Sequence, residues 1–436
     1  MLKKLQQHIN LKFSFLKDKK ILIAISGGVD SVVLTHLFDK LNFDISLAHC
    51  NFNLRGNESD KDEFFVKELG GKLNVKTFTT RFETEKYAQE NQFSTQVAAR
   101  NLRYDWFQEI SNQHQFDFVI TAHQADDNLE TFIINLTRGT GLEGLTGIPE
   151  LNGNIVRPFL IFSRYEIENY AKENTIEWRE DKSNTSTKYV RNKIRHQIVP
   201  ILKEINPTLL ESFQKTSEHL QESQQIIDES ITDFKKKVVK KSENGFLKID
   251  IAKIQQTNNP KAYLYQLLKE FGFTEWNDIT HLLTAQSGKE VVSKTHRLLK
   301  DRYFLIVSKR EEKTTNTVFI ISENTSEIKN PIHLKISTIS EIGNENAQTI
   351  YIDEYKITFP LTLRKWQHGD FFYPKGMQGK KKISNYFKDK KFSLIDKENT
   401  WLLCNENNII WIVGHRQDNR FLADKNTSSI LKIELC

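Results

Sequence analysis

The sequence predicts an α/β protein whose N-terminal part is built on a parallel sheet. Through the first third of the chain, short apolar runs alternate with helical patterns, an order that produces parallel strands joined by helices. Pro200 and Pro207 then interrupt this pattern, and short strand patterns begin near residue 318. We therefore expect an α/β domain over residues 1–212, a connecting helix with a small mixed helical domain over 213–310, and a β-rich domain over 318–436.

Apolar spacing places the N-terminal elements. Residues 21–25 are almost wholly apolar, as expected of a strand that is buried on both faces. The other predicted elements are strands at 43–49, 74–79 and 116–122 and helices that begin at Val29 or span 59–69, 94–110 and 127–138. In the helix at 59–69, we expect Phe64, Phe65 and Leu69 to face one way.

The composition excludes several classes of protein. Of the 436 residues, 38% are hydrophobic and 27% are charged, which is ordinary for a globular chain. No apolar run reaches the ~20 residues of a membrane span, and no secretory signal is visible. Cys50, Cys404 and Cys436 are far apart, so we expect neither disulfides nor a zinc site. These features predict a cytoplasmic protein with no membrane partner.

A glycine-containing loop connects the first predicted strand to the helix that follows it. The loop and the start of the helix consist of Ser26, Gly27, Gly28, Val29, Asp30 and Ser31. In this arrangement backbone N–H groups converge on an anion such as phosphate at the helix N-terminus. The glycines let the backbone approach the phosphate closely, and the Asp30 carboxylate is suited to hold Mg²⁺.

The chemistry of this loop differs from that of the GxxxxGKS/T loop, which uses a lysine on the β- and γ-phosphates. Here no lysine occupies that place. Amides, hydroxyls and one carboxylate suit a pyrophosphate that leaves as a unit after attack at the α-phosphorus, so the loop favours adenylation of a substrate. The alternative is a tight structural turn in which Asp30 or Ser31 lies near a helix cap.

These residues resemble the SGGxDS motif of the PP-loop ATP pyrophosphatases, and the motifs described next are similar to those of the tRNA(Ile)-lysidine synthetase family. The similarity covers nearly the whole chain and is strongest up to about residue 200. It implies an enzyme that uses ATP, Mg²⁺ and free L-lysine. In the implied reaction, the wobble cytidine of an isoleucine tRNA is adenylated, and the lysine amine then displaces AMP from C2 to form lysidine.

The segment after the second strand is the next candidate for the nucleotide site. Residues 49–56 end that strand and open a loop at the edge where doubly wound sheets bind ligands. We therefore expect the adenine near Ala48 and His49, held by backbone contacts. An ordinary polar connection between two elements is the alternative.

The helix at 94–110 carries two arginines on one face. Arg100, Arg103 and Tyr104 are spaced i, i+3 and i+4. Guanidinium groups suit the phosphates of ATP or RNA because they make bidentate contacts, and the family has an Ala-Ala-Arg-x-x-Arg-Tyr stretch here. The alternative is a solvated basic face that pairs with carboxylates such as Asp105.

A second motif, AHxxDDxxET, follows the strand at 116–122 and matches the family element by element. The resemblance implies that His123 lies near the phosphates and that Asp126 and Asp127 act on the metal or the target base. A simpler explanation is a capping box formed by Asp127 and Glu130. Capping, however, requires neither His123 nor two adjacent aspartates.

Residues 180–195 resemble the EDxSN…YxRNxIR block of the family. A lysine that binds as a small substrate needs acids for its amines and a base for its carboxylate. Asp181 and the pair Arg191 and Arg195, spaced i, i+4, provide these groups. The alternative is a capping loop followed by a basic helix face.

Basic charge is concentrated in residues 361–392, which contain nine Lys or Arg and two Asp. This segment contains three consecutive lysines and four aromatic residues: Lys380, Lys381, Lys382, Trp366, Tyr373, Tyr386 and Phe387. Lysines for phosphates and aromatic rings for exposed bases suit structured RNA, and the family has a module here that grips the tRNA acceptor stem. A charged rim around aromatic core residues is the alternative.

Two other functions compete with lysidine formation. A related PP-loop enzyme thiolates a tRNA base, but sulfur transfer needs a reactive cysteine or an iron–sulfur cluster, and Cys50 has no partner in the sequence. The second competitor is a non-enzymatic RNA-binding protein with a vestigial nucleotide fold. Pyrophosphate release that depends on both tRNA and lysine would exclude it.

Overall fold

The computed structural model describes residues 1–180, 190–242, 245–310, 318–343, 346–377 and 379–436. Contacts divide the chain into two compact units, Met1–Glu229 and Ser230–Cys436. Within the described ranges, no helix combines the length and the apolar character needed to cross a bilayer.

The N-terminal unit alternates strands and helices. Its strands are β1 (Lys20–Ala24), β2 (Asp44–Asn51), β3 (Thr77–Arg81), β4 (Phe118–Ile120), β5 (Leu151–Asn152) and β6 (Ile155–Val156). Its helices are α1 (Leu2–Lys12), α2 (Val29–Lys40), α3 (Asn57–Lys72), α4 (Thr84–Glu90), α5 (Thr95–His114), α6 (Ala125–Thr137), α7 (Leu142–Leu145), α8 (Arg164–Glu173), α9 (Val190–Lys193) and α10 (Val199–Ile205). A π-helical segment, Ile194–Ile198, joins α9 to α10, and α11 (Leu209–Val238) contains the division between the units.

The sheet of this unit has the strand order β3-β2-β1-β4-β6-β5. The central strand β1 pairs in parallel with β2 and β4, and β5 pairs antiparallel with β6 at the edge. Ile21 and Ile23 pack in the core on one face of β1, whereas Leu22 packs on the other face with Phe107 of α5. The predicted parallel fold is confirmed. Because β2 and β3 lie on one side of β1 and β4 lies on the other, the carboxyl ends of β1 and β4 form a crevice that can bind ligands.

Helix α3 corrects one expectation about packing. Leu69 is 6% exposed, but Phe64 is 64% exposed. The expectation that Phe64 shares a face with Leu69 is wrong, because residues five apart on a helix are separated by about 140°. Val66 and Leu69, which are three apart, are the buried pair.

The C-terminal unit is rich in antiparallel strands, which confirms the β-rich character predicted for residues 318–436. Its strands are β7 (Val239–Lys241), β8 (Leu247–Asp250), β9 (Glu290–Val292), β10 (His296–Asp301), β11 (Phe304–Lys309), β12 (Phe319–Ile321), β13 (Glu327–Ile328), β14 (Leu334–Ile339), β15 (Thr349–Asp353), β16 (Leu361–Lys365), β17 (Phe371–Phe372), β18 (Lys381–Lys382), β19 (Trp401–Asn405), β20 (Asn408–Ile412) and β21 (Ile430–Leu435). Its helices are α12 (Ile251–Gln255), α13 (Pro260–Leu268), α14 (Trp276–His281), α15 (Ile383–Asp389) and α16 (Leu394–Asn399). The sheets have the orders β7-β8-β11-β10-β9, β12-β16-β19-β20, β13-β14-β21-β15 and β17-β18.

Two adjacent glycines of α3 have different surroundings. A Cβ at Gly70 would lie 2.0 Å from Thr77 Oγ1 and 3.1 Å from the Val75 carbonyl oxygen, whereas a Cβ at Gly71 would meet nothing within 4 Å. Gly70→Ala should therefore destabilise the N-terminal unit by about 1–3 kcal/mol through overpacking. Gly71→Ala should stabilise it by up to ~1 kcal/mol, because alanine favours the helix. The melting temperatures of the two variants check this, and equal shifts would contradict the close packing of α3 on β3.

Candidate active site

The loop after β1 is held in shape by its own serines. Ser31 Oγ donates to the Gly28 carbonyl (3.0 Å) and lies 3.2 Å from the Ser26 amide, which donates to it. The Gly28 amide donates to Ser26 Oγ at 3.3 Å. Gly27 has φ +92°, a conformation that favours glycine. Gly28 is the N-cap of α2, and no side chain in the described part of the chain caps this helix. The helix N-terminus is therefore suited to an anionic ligand.

A cleft of about 260 Å³ opens beside this loop at the carboxyl ends of β1 and β4. Many of the predicted site residues line it: Ser26, Gly28, Asp30, Ser31, Ala48, Arg103, His123, Asp127 and Arg191. Tyr104, Phe52 and Phe107 add aromatic surface. The cleft thus combines a loop of amides and hydroxyls, acids, two guanidiniums and an apolar wall.

Other predicted residues of the loop and of β2 lie outside the lining. Gly27 is a buried residue of the loop, and Val29 packs in the core with 1% exposure. Because side chains alternate along a strand, Ala48 and Cys50 face the cleft while His49 points to the other side of β2. The His49 Nδ1–H donates to the Ile25 carbonyl at 2.9 Å, so His49 supports the end of β1 from behind.

Asp30 is oriented by a residue that the sequence did not single out. Arg164 Nη1 donates to Asp30 Oδ2 at 2.5 Å, and Arg164 Nε donates to Glu168 Oε1 at 2.7 Å. Burial raises the pKa of Asp30 to about 6, although the Arg164 guanidinium acts in the opposite direction. The only local signal at Arg164 is the capping box of Ser163 and Glu166, which predicts a helix start there but not a contact with the loop.

Asp126 lies outside the cleft lining, and both of its carboxylate oxygens accept hydrogen bonds. Its Oδ2 accepts from the Arg164 backbone amide at 2.8 Å, and its Oδ1 accepts from Lys203 Nζ at 2.5 Å. Asp126 therefore fixes the start of α8, and through it the residue that contacts Asp30.

Glu130 is the most buried acid of this region, with 1% exposure. Its two oxygens accept from Arg191 Nε (2.9 Å) and Arg195 Nε (2.6 Å), and Arg195 also contacts Asp127 Oδ1 at 3.0 Å. The capping box of α6 is formed by Gln124 and Asp127, so the simpler explanation that paired Asp127 with Glu130 is wrong. Glu130 instead joins α6 to the two arginines of the later motif.

The two arginines of α5 are packed against aromatic rings. Arg103 lies 5.2 Å from the ring centroid of Phe52, and Arg100 lies 4.9 Å from that of Tyr104. Arg103 and Tyr104 line the cleft, whereas Arg100 is exposed beside it. The cation–π contacts hold both guanidiniums in place without neutralising their charge.

Three further predicted site residues are not described at the cleft. Asp181 lies outside the described residues. Lys380 lies 5.1 Å from the ring centroid of Phe371, and Lys381 pairs with Asp389 at 2.7 Å, both in the C-terminal unit. Tyr386 and Phe387 are 4% and 0% exposed, so the expectation that these two rings receive bases is wrong. They belong to the hydrophobic core beneath the basic surface.

The donor set of the cleft suits a magnesium ion that arrives with a nucleotide. Across the described residues, no group of three or more His, Cys, Asp or Glu is arranged to hold a metal on its own. Asp30 Oδ1 is buried and has no hydrogen-bond partner among those residues. Mg²⁺ commonly binds through one or two carboxylates together with substrate phosphates and water. Asp30 is therefore the residue that would hold it.

The fold and the cleft define a class of protein: an α/β nucleotide-binding protein with an amide-lined phosphate loop. In agreement, a family model described as the PP-loop domain matches residues 1–202. Models described as the TilS substrate binding domain and the TilS substrate C-terminal domain match residues 241–310 and 361–434.

Sequence comparison with relatives of similar length identifies the family within this class. A tRNA(Ile)-lysidine synthase of Parabacteroides distasonis is 41% identical, with 95% of each chain covered. A protein of the same name from Bacteroides thetaiotaomicron is 38% identical and covers 98% of this chain and 97% of its own. One from Bacillus subtilis is 30% identical and covers 95% of this chain and 93% of its own. The chain belongs to the tRNA(Ile)-lysidine synthase family. A solved U34-tRNA thiolase from Methanococcus maripaludis aligns at 18% identity over 51% of this chain and 80% of its own, with a TM-score of 0.42, which is too low to bear on function.

The charge state of His123 gives a testable pH dependence. Its Nδ1 lies 2.8 Å from Thr121 Oγ1, and burial lowers the pKa of the imidazole from 6.5 to about 4. The unfolded chain therefore binds a proton at a higher pH than the folded protein does, and stability is lost as the pH falls from 6.5 towards 4. Between pH 7 and pH 5, the melting temperature of the wild type should fall further than that of His123→Gln. A His123 ring that titrates near pH 6.5 by NMR would contradict this.

Proposed function

We propose that this protein is an ATP-dependent ligase that joins L-lysine to C2 of the wobble cytidine of an isoleucine tRNA and so forms lysidine. The observation that carries the proposal is the convergence of the serine–glycine loop, Asp30, His123, Asp127 and Arg191 on one cleft, in a chain that belongs to the tRNA(Ile)-lysidine synthase family. The proposal assigns two separate sites to that cleft, one for phosphate and one for an amino acid.

The loop amides and the Ser26 and Ser31 hydroxyls face the β- and γ-phosphates of ATP in this proposal. The N-terminus of α2 favours their negative charge. The apolar wall next to Ala48 receives the adenosine. Mg²⁺, held by Asp30, supplies charge neutralisation of the pyrophosphate when it is bound. The protein's own contribution is to position the groups and to stabilise charge on the leaving pyrophosphate.

The reaction proceeds in two displacements. The cytidine O2 attacks the α-phosphorus of ATP, the bond to the β-phosphate oxygen breaks, and pyrophosphate leaves. The neutral ε-amine of lysine then attacks C2, the C2–O bond breaks and AMP leaves with the former O2. The nitrogen releases one proton to solvent to give the modified base. Arg103, which lines the cleft and is held against Phe52, can neutralise phosphate charge in both steps.

The lysine site follows from the acid and guanidinium groups next to the loop. Asp127 and Arg191 both line the cleft, with Arg191 anchored by the buried Glu130. We assign Asp127 to an amine of lysine and Arg191 to its carboxylate. Glu130 and Arg195 hold these groups in position from behind.

The tRNA contacts extend beyond the cleft. We assign the anticodon loop to the cleft, because the reacting base must reach the α-phosphate. The exposed lysines of the C-terminal basic segment, including Lys380, are assigned to the phosphates of the acceptor stem. Since ATP, lysine and tRNA meet in the cytoplasm, we place the enzyme there.

Thiolation is less well supported. Cys50 lines the cleft, but burial raises the pKa of its thiol to about 12. A thiol that stays protonated at neutral pH is a poor nucleophile and a poor carrier of sulfur.

Asp30→Asn tests the assignment of the loop. It should reduce lysidine formation by about 10²–10³-fold, the loss typical of removing one group that stabilises charge in the transition state. The melting temperature should stay near that of the wild type, and Asp39→Asn, on the same helix but away from the cleft, should retain activity. Incorporation of labelled lysine into tRNA measures the effect. Near-normal incorporation in Asp30→Asn would refute the assignment.

Arg191→Ala tests the lysine site. It should raise the KM for lysine by on the order of tenfold or more, because a hydrogen bond to a charged group is worth about 1.5–3 kcal/mol, while the KM for ATP changes much less. Lys193→Ala removes an exposed cation from the same helix and serves as the matched control. Equal changes in both KM values would argue against a lysine carboxylate at Arg191.

A further inference from the structure

Gly27, the first glycine of the loop, is held by two segments that lie outside the loop. Its carbonyl accepts a hydrogen bond from the Arg179 backbone amide at 3.0 Å. On its other side it packs on α3, where a Cβ at Gly27 would lie 3.6 Å from Phe65 Cδ1 and 3.8 Å from Val66 Cγ2. The position of the loop therefore depends on where residue 179 and α3 lie.

The side chain of Arg179 ties these two segments to each other. Its Nε donates to Asp62 Oδ1 at 2.5 Å, and its Nη2 donates to Glu58 Oε2 at 2.8 Å, both on α3. The second oxygen of Asp62 accepts from Arg55 Nη2 at 2.8 Å. Asp62 is only 7% exposed, so these charge-assisted bonds are poorly screened by water. Residue 179, α3 and Gly27 form a closed ring of contacts.

The Gly27 carbonyl determines the direction of an amide in the cleft. Gly27 C=O and Gly28 N–H belong to one planar trans peptide unit and point in opposite directions. While the carbonyl faces Arg179, the Gly28 amide must face away from it. It then donates to Ser26 Oγ, and both Gly28 and Ser26 line the cleft. If residue 179 were released, this peptide unit could rotate, and an amide donor for the phosphates would be lost.

We propose that Arg179 is a positioning residue for the phosphate loop: its side-chain bonds to Asp62 and Glu58 keep its own backbone amide on Gly27 and so keep the Gly28 amide directed at the nucleotide. This inference rests on the proposed binding of ATP at the loop. It assigns Arg179 no contact with any substrate. Its effect is expected on nucleotide affinity, with little effect on the rate at saturating ATP.

Arg179→Ala is the direct test. The dissociation constant for MgATP, measured by calorimetry on the full chain without tRNA, should rise by on the order of tenfold. Turnover at saturating ATP should stay within about twofold of the wild type. Arg179→Lys retains a cation for the two carboxylates and should recover part of the affinity.

Arg81→Ala is the matched control. Arg81 also pairs with acids of α3, Asp60 at 3.0 Å and Glu63 at 2.9 Å, but it makes no described bond to the loop. It should leave the MgATP dissociation constant within about twofold of the wild type. If Arg81→Ala and Arg179→Ala weaken MgATP binding equally, the effect comes from the stability of α3 and the proposal is overturned.

A milder variant covers the case in which Arg179→Ala does not fold. Glu58→Gln removes one of the two charged partners of Arg179, at a half-exposed position. Like Arg179→Lys, it should raise the dissociation constant for MgATP above that of the wild type. Unchanged affinity in both variants would overturn the proposal. Wild-type protein that binds MgATP but transfers no lysine would refute the proposed function and leave this inference standing, whereas wild-type protein that does not bind MgATP would refute both.

Discussion

The orientation of a few peptide units at the carboxyl end of β1 is the constraint on which the rest of the site depends. Strand β1 is paired on both sides and buried on both faces, and this fixes the position at which the loop begins. From there the two serines turn the loop, and contacts from distant segments prevent it from relaxing. A phosphate site made of amides works only if these dipoles point the right way before the ligand arrives, because reorientation would reduce the gain from binding.

Carboxylates that are paired with guanidiniums from remote parts of the chain surround this loop. Asp30 pairs with Arg164, and Glu130 pairs with Arg191 and Arg195. Asp62 of α3 pairs with Arg179, whose backbone amide supports Gly27. A buried carboxylate without such a partner would be costly. The same pairs also fix the rotamers of the groups that face the cleft, so one set of interactions serves both folding and ligand binding.

The sequence was most informative where function depends on consecutive residues. The loop of residues 26–31 and the motif at 121–131 specify their own turns, and their placement after strands located the crevice. Pairs such as Asp30 with Arg164 and Asp62 with Arg179, which are 134 and 117 residues apart, leave no mark on local patterns. Tyr386 and Phe387 illustrate a different limit, because lysines next to aromatic residues are expected both for an RNA-binding surface and for a charged rim over a core.

The raised pKa of the partly buried Cys50 thiol has a consequence for the chemical reactivity of the cleft. Alkylation and peroxide oxidation both proceed through the thiolate, and this sulfur keeps its proton at any physiological pH. We therefore expect Cys50 to react slowly with electrophiles and oxidants that inactivate enzymes with exposed, acidic cysteines.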